Sequence, residues 1–429
     1  MNLRTALIAI SSALLFAACN PANPTQPDPS KPDPSKPAAG SLDSSFGSGS
    51  ISLLPTSGTP SSPYDFNFTE SVRSLKILAG GNIITAECRF ANDRSYAALG
   101  LYSSSGSELN NLDVSGNVTT RNCLTALELG PNGGIYGGGT FVLGDNVRPG
   151  IVRVNTALER TDQGILDADF PLKDASSAQI RALTFDTPGN LYAAGYGIYA
   201  GVFNAVVLKF KPDGSLDKSF GDGGLVKSTL GAGKSTDARA ITVSGGQVYL
   251  AANVFDPADN TQSLNIVSVS SSGELGTPTV QKFGNPQSFP IAITSSGGGV
   301  VGGFTIDSSG KYSSALQTLN GSSKTLANNG GINALFADAQ GRLIAVGNTF
   351  SDATDQDCFV TRLNPDLTPD SSFGTGGTVT LDNAGNEDIC FAGALDAQGR
   401  IVVGGYSRNA KSTPSNPASH SRLLARFNP

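Results

Sequence analysis

Leu423-Leu-Ala-Arg-Phe-Asn-Pro429 is the first half of a phrase whose second half, Gly40-Ser-Leu-Asp-Ser-Ser-Phe-Gly47, lies at the other end of the chain. Two internal copies carry the phrase whole: LKFKPDGSLDKSFG at 208–221 and TRLNPDLTPDSSFG at 361–374. In each, a strand-like run ends in a Pro-Asp turn, and a D-x-S-F-G element leads into the next strand. A copy split between the termini is expected of a ring of β-blades in which the first strand completes the last blade. The phase predicts that residues 41–53 form the outer strand of the blade that holds Gly399 to Asn428.

Outward from these copies runs a regular unit of strand, Gly turn and second strand. SLKILAGGNIITAE (74–87) and RALTFDTPGNLYAAG (181–195) are examples, and the turn glycines are Gly81, Gly133, Gly189, Gly246, Gly298, Gly341 and Gly399. A tight hairpin needs a residue at positive φ, which glycine adopts without a steric cost. Each unit continues to a third strand, such as AALGLY (97–102), VVLKFK (206–211) or LLARFN (423–428). Four antiparallel strands per unit, repeating every 40 to 60 residues or so, read as a propeller. The expected fold is all-β, a seven-bladed β-propeller closed by the N-terminal strand. Blade 5 (Ile291–Asn328) is short with a poorly marked fourth strand and blade 1 lacks the SFG signature, so six or eight blades are the neighbouring counts.

These residues resemble the delta-60 repeat family. The resemblance is carried by LDSSFGSGS (42–50), PDGSLDKSFGDGGLV (212–226), NPDLTPDSSFGTGGTVTL (364–381) and the paired DAQGRLIAVG (338–347) and DAQGRIVVGG (396–405). It covers Gly40 to Pro429 and implies an extracytoplasmic bacterial repeat protein of propeller type. It implies no defined catalytic activity and carries over no catalytic residue.

The N-terminus reads as an address. Arg4 precedes an apolar run from Ala6 to Ala18 that is too short for a bilayer core, which needs about 20 residues. Phe16-Ala17-Ala18-Cys19 resembles a bacterial lipobox, with Phe16 where the motif prefers Leu, so residues 1–18 are expected to be a signal peptide and Cys19 the lipidated residue. Residues 19–39 hold seven prolines between positions 21 and 37. Proline fixes φ, so this segment is expected to be an extended tether of about 60 Å. The folded domain is expected at 40–429, bound to the membrane only through the anchor. A net charge of −6 and a pI near 4.9 exclude a nucleic-acid partner, which calls for clustered Lys and Arg.

Cys88, Cys123, Cys358 and Cys390 remain for disulfides, as exported proteins meet an oxidising space. In a four-stranded blade the loop between strands two and three shares one face with the link to the next blade. Cys88 ends a second strand, Cys358 begins a third, and Cys123 and Cys390 begin new blades. Pairing Cys88 with Cys123 and Cys358 with Cys390 therefore joins neighbours on one face. Each closes a loop of roughly 35 residues, worth about 3–4 kcal/mol in the loop-entropy description. A Cys metal site would need the CxxC or nearby His that is missing here.

Asp43, Asp217 and Asp370 recur in phase and read as turn caps, and Phe46, Phe220 and Phe373 read as packing between sheets. An aromatic residue follows the second strand in nearly every unit: Phe90, Phe141, Tyr196 or Tyr199, Phe255, Phe304, Phe350 and Tyr406. Such residues could stack a glycan or hold a protein partner; packing of loops onto the next blade is their simpler use. Asp352, Asp355 and Asp357 share one loop and could hold Ca²⁺ by oxygen ligation, although their spacing is not that of an EF-hand.

Catalysis finds little to work with. His420 is the single histidine, set in a long Ser/Pro/Asn loop, and a His-based metal centre fails on count. The residues point to a non-enzymatic binding module of the envelope with a protein or glycan ligand and no cofactor. A hydrolytic propeller with paired channel carboxylates and a structural envelope protein are the alternatives.

Overall fold

In the computed structural model, residues 37–429 are described except 56–69, 92–93, 116–122, 144–145, 162–170, 173, 282–286, 296–297, 327, 351–355 and 409–419. Among the described residues every extended regular element is a β-strand. Strands Ser71–Ile77, Ile83–Ala91, Arg94–Tyr102 and Glu108–Asp113 pair in that order, all antiparallel. Gly81, at φ 83°, makes the first hairpin turn, and the turn glycines of the later units all have positive φ.

Later meanders begin with the strands Cys123–Leu129, Ser177–Phe185, Ser235–Ser244, Gln287–Thr294, Gly330–Ala337 and Glu387–Leu395. All these first strands, with Ser71–Ile77, line one cavity of about 800 Å³. Meanders placed radially around a central channel make a β-propeller. The apolar core lies between neighbouring sheets. Ile84, Ala86 and Leu99 pack against Leu124, Leu127 and Ile135 of the next sheet, and Tyr192 and Val207 against Ile241 and Leu250. The same relation joins the last sheet to the first: Ala392, Val402 and Leu424 pack with Val72, Leu75, Ile83 and Tyr102.

The N-terminal segment lies outermost in the last sheet. Ile51–Pro55 pairs antiparallel with residues 421–425 of the strand His420–Phe427. Upstream, Leu42 bridges Phe427, and the Asp43 N–H donates to the Arg426 carbonyl at 2.8 Å. The expected strand at 41–53 is thus divided into a bridge near residue 42 and a ladder from 51 to 55. Between them the chain turns through Gly47, Gly49 and Ser50 at positive φ. That detour sets the Phe46 ring, fully buried, into the gap between the first and last sheets. Phe220 and Phe373 are equally buried between their own pairs of sheets.

Candidate functional site

Every first strand slips register by one residue against its second strand. The slips fall at Val72/Ser74, Leu124/Ala126, Ala238/Ala240, Pro290/Ala292, Ile332/Ala334 and Cys390/Ala392, and in the remaining sheet around Arg181. A β-bulge of this kind leaves one residue without an opposite number and re-aims its side chain. The second strand must then approach closely. Gly139, Gly195, Gly303, Gly347 and Gly405 stand at that point, and a Cβ on Gly405 would fall inside the Ile389 carbonyl oxygen.

The bulged residues line the channel near the ends of the first strands where the disulfides lie. Three are arginines, Arg73, Arg181 and Arg239; Thr125, Ile291, Asn333 and Phe391 complete the set. Two of the neutral members tie sheet to sheet. Thr125 Oγ1 donates to the Ile180 carbonyl at 2.6 Å, and Asn333 Nδ2 to the Cys390 carbonyl at 2.8 Å. Arg181 Nε lies 2.9 Å from Asp237 Oδ1, and Arg239 Nε 2.8 Å from Asp237 Oδ2. The Arg73 guanidinium lies 4.2 Å from the centre of the Phe391 ring. Burial lowers the Arg73 pKa to about 10; the neighbouring Tyr406 opposes that shift and the Arg181 charge adds to it. Burial also lowers the pKa of Arg239, with Arg181 again adding and Asp237 opposing. Towards the other end of the channel stands Glu128, the carboxylate among the described lining residues, which Lys76 holds at 2.8 Å.

The structure links Cys88 to Cys123 (Cα–Cα 4.6 Å) and Cys358 to Cys390 (Cα–Cα 5.2 Å). Each disulfide joins neighbouring sheets, and both point to an oxidising, extracytoplasmic location. No helix among the described residues is long and apolar enough to cross a membrane. Cys19 lies outside the described residues.

The aromatic residues expected on the loop face pack in local groups instead of one ring. Phe141 is 1% exposed and belongs to the core between the first two sheets, so it is closed to a ligand. Phe304 stacks on Phe289 at 4.6 Å and meets Phe350 at 5.7 Å; Tyr312 joins them. Tyr196 packs on Phe203 at 5.0 Å and carries the Arg181 guanidinium over its ring at 5.0 Å. Lys227 lies 4.3 Å over the Tyr199 ring. Tyr406 meets Phe391 at 5.9 Å and donates to Glu387 at 3.0 Å; burial pushes its pKa up to about 12. Phe255 is half-buried, and the Phe90 and His420 side chains lie outside the described residues.

Asp352 and Asp355 also lie outside the described residues. Asp357 meets Asp382 and Asp388 instead, with one carboxylate oxygen of each within 4.8 Å of the others. Oxygens so spaced suit a hard divalent cation. Asp388 is fully buried, and burial raises its pKa to about 6; the charges of Asp357 and Asp382 add to that, against hydrogen bonds from Ser407 and the Asn383 N–H.

No recurring motif names the channel arginines, yet the sequence carries a signal for them. RSLKI (73–77), TALEL (125–129), RALTF (181–185), RAITV (239–243) and NALFA (333–337) are in phase, and the bulged residue is the one before a small residue and a Leu or Ile. Asp382 and Asp388 carry no such signal, because only the packing of neighbouring sheets brings them to Asp357.

Residues 189–220 and 340–373 match the model of a β-propeller domain of unknown function, DUF5122. No curated protein matches. Similar solved structures include the BP39L lectin from Burkholderia pseudomallei (TM-score 0.50, 13% identity, 84% of this chain and 98% of the lectin). They also include the polysaccharide lyase Uly1 (TM-score 0.48, 11% identity, 88% of this chain and 97% of the lyase). The β-propeller domain of the Trilobed protease from Pyrococcus furiosus is a further one (TM-score 0.47, 7% identity, 82% of this chain and 93% of that one). Such identities speak to the fold and leave activity aside. With the strand arrangement above, the family match makes this chain a β-propeller repeat protein.

Proposed function

We propose that the protein is a lipid-anchored binding module of a bacterial cell envelope. In this reading it is a delta-60-type propeller of seven blades, tethered through Cys19 and closed by its N-terminal strand. The blade count is supported by the first strands at 71, 123, 177, 235, 287, 330 and 387, each with its bulge. Closure is supported by the pairing of Ile51–Pro55 with residues 421–425 and by the cluster around Phe46. The ligand, a protein or a glycan, enters the channel mouth on the disulfide-bearing face.

The observation that carries the binding reading is the channel lining itself. It offers rigid, bulge-mounted arginines at one end and, among its described residues, a single carboxylate already paired with Lys76. Hydrolysis by a carboxylate pair calls for two such groups flanking a bond. Holding a ligand calls only for shape and fixed polar groups.

Two measurements test the reading. Cys19→Ser should move the protein from the membrane fraction to the soluble one; if it still needs detergent for extraction, the anchor is elsewhere. The released protein, immobilised, should capture a component of envelope extract. Failure to retain any component beyond a denatured control would sink the binding role.

A further inference from the structure

Three arginines from three different strands line the same end of the channel. Arg181 lies within the field of both Arg73 and Arg239, and its charge opposes theirs. Among the described residues, Asp237, Tyr196 and Tyr406 bear on them. Asp237 engages Arg181 and Arg239 with one oxygen each. Tyr406 bears on Arg73 as a neutral phenol. Arg181 and Arg239 thus share one carboxylate between two positive charges, and Arg73 lines the same end of the channel.

The backbone makes this grouping rigid. Each arginine is the extra residue of a β-bulge, so its Cα position is set by the ladder on both sides. Arg73 Nε is further held by Ser71 Oγ at 2.9 Å, and its guanidinium lies over Phe391. Like charges held together by a stiff scaffold are an arrangement that an anion relieves. Guanidinium is the group best matched to the paired oxygens of carboxylate, sulfate or phosphate. A cavity of about 800 Å³ is of the size that small ligands occupy.

We propose that Arg73, Arg181 and Arg239 form an anion site at the channel mouth that grips an oxyanion group (carboxylate, sulfate or phosphate) on the ligand. The inference rests on the binding reading above and names the chemistry that the site selects. Asn333 and Phe391 form the neutral part of the same rim.

Titration calorimetry on the full-length protein in detergent, at constant ionic strength, tests the site. The probes are inorganic phosphate, sodium sulfate, a galacturonate trisaccharide and, as the neutral control, a galactose trisaccharide. At least one anionic probe should bind one to one, and the neutral sugar should not. The anion that binds most tightly identifies the source: phosphate ester, sulfate ester or uronate. Arg73→Gln and Arg239→Gln should each weaken that binding about tenfold or more, the scale of a lost charge-assisted contact. Arg73→Lys should retain part of it, and Lys76→Gln, at the far end of the channel, should retain all. Melting temperatures of the variants check that each is folded. Absence of binding by every anion, or equal binding by folded wild-type and Arg→Gln proteins, overturns the proposal. If envelope capture persists after all three arginines are replaced by Gln in a folded protein, the anion site falls and the binding module stands.

Discussion

Arg426 Nε stands 2.8 Å from Asp43 Oδ2, joining the last strand to a residue 383 positions earlier. Within single units, Arg362 does the same to Asp370 at 2.8 Å and Lys209 to Asp217 at 3.1 Å. In all three, a serine two residues on donates its hydroxyl to the aspartate at 2.6 Å. The basic group also lies over the following phenylalanine: 4.8 Å for Arg426, 4.7 Å for Arg362 and 5.8 Å for Lys209. One local clasp is therefore built either from adjacent chain or from the two ends.

The clasp sets a pH dependence. Burial alone would raise the Asp43 pKa, but hydrogen bonds from Ser45 and the Arg426 charge outweigh it and hold it near 2, below 3.8. Asp370 is held near 2 in the same way by Ser372 and Arg362. A depressed carboxylate adds stability above its unfolded pKa and loses it as pH falls through the folded one. Asp43→Asn should cost about 1–2 kcal/mol at neutral pH in urea melts, and the gap should close between about pH 4 and 2. A gap that persists unchanged at pH 2 would show that charge is not its source.

Asp388 should behave in the opposite sense. Its folded pKa near 6 lies above 3.8, so ionisation costs stability as pH rises through that window. With chelator present, Asp388→Asn should stabilise the protein at pH 8 by about 2–3 kcal/mol and leave it unchanged at pH 3. A destabilised variant at pH 8 would contradict the assignment.

Arg422 holds the last sheet to the first through buried acids. It reaches Glu87 at 2.9 Å and Glu70 at 2.8 Å, and both acids are buried. Arg422→Met removes one of the two arginines on Glu87, leaving its charge to Arg89 alone, and should cost about 3 kcal/mol; Arg422→Met with Glu87→Met should recover part of that. Equal stability of the single and double variants would rule out stranded charge as the cause.

Gly347 faces the bulge of its first strand, where a Cβ would strike the Gly331 carbonyl oxygen and the Phe359 ring. Gly347→Ala should cost on the order of 3 kcal/mol, the scale of overpacking with backbone displacement. Gly80→Ala, where a Cβ would meet nothing within 4 Å, should change stability by about 0.5 kcal/mol at most. Similar melting temperatures for the two would mean that the bulge yields easily.

Deleting residues 41–55 removes the outer ladder of the last sheet together with Asp43 and Phe46. The loss should approach a whole domain's stability, about 5–15 kcal/mol. Deleting residues 22–36 should cost almost nothing, since a proline-rich polar stretch has no core to enter. Equal thermal stability of the two deletions would mean that the N-terminal ladder does not hold the last sheet.

Strand order, hairpin turns and the pairing of the two ends were legible in the sequence because they are local or periodic. A glycine that must take positive φ, such as Gly81 or Gly341, marks its turn without reference to anything distant. The D-x-S-F-G element marks a turn cap, and its unmatched copy at residue 43 calls for the unmatched strand that ends at Phe427; the basic partner of the aspartate is seen only in the structure. The four cysteines, read through blade topology, paired as neighbours, and the structure links those same neighbours. What only the tertiary structure decided is where side chains from separate sheets meet. Phe141 follows a second strand as Phe304 does, yet one is buried in a core and the other joins an aromatic cluster nearer the surface. Asp357 was read with the acids beside it in sequence, but its described neighbours are Asp382 and Asp388 of the adjoining link and sheet. Arg73, Arg181 and Arg239 stand more than fifty residues apart in sequence and converge because each first strand bulges at the same height around one channel. A repeat fixes the height of each residue within its own unit. The charge that collects at that height depends on all the units at once, and only the ring of sheets brings it together.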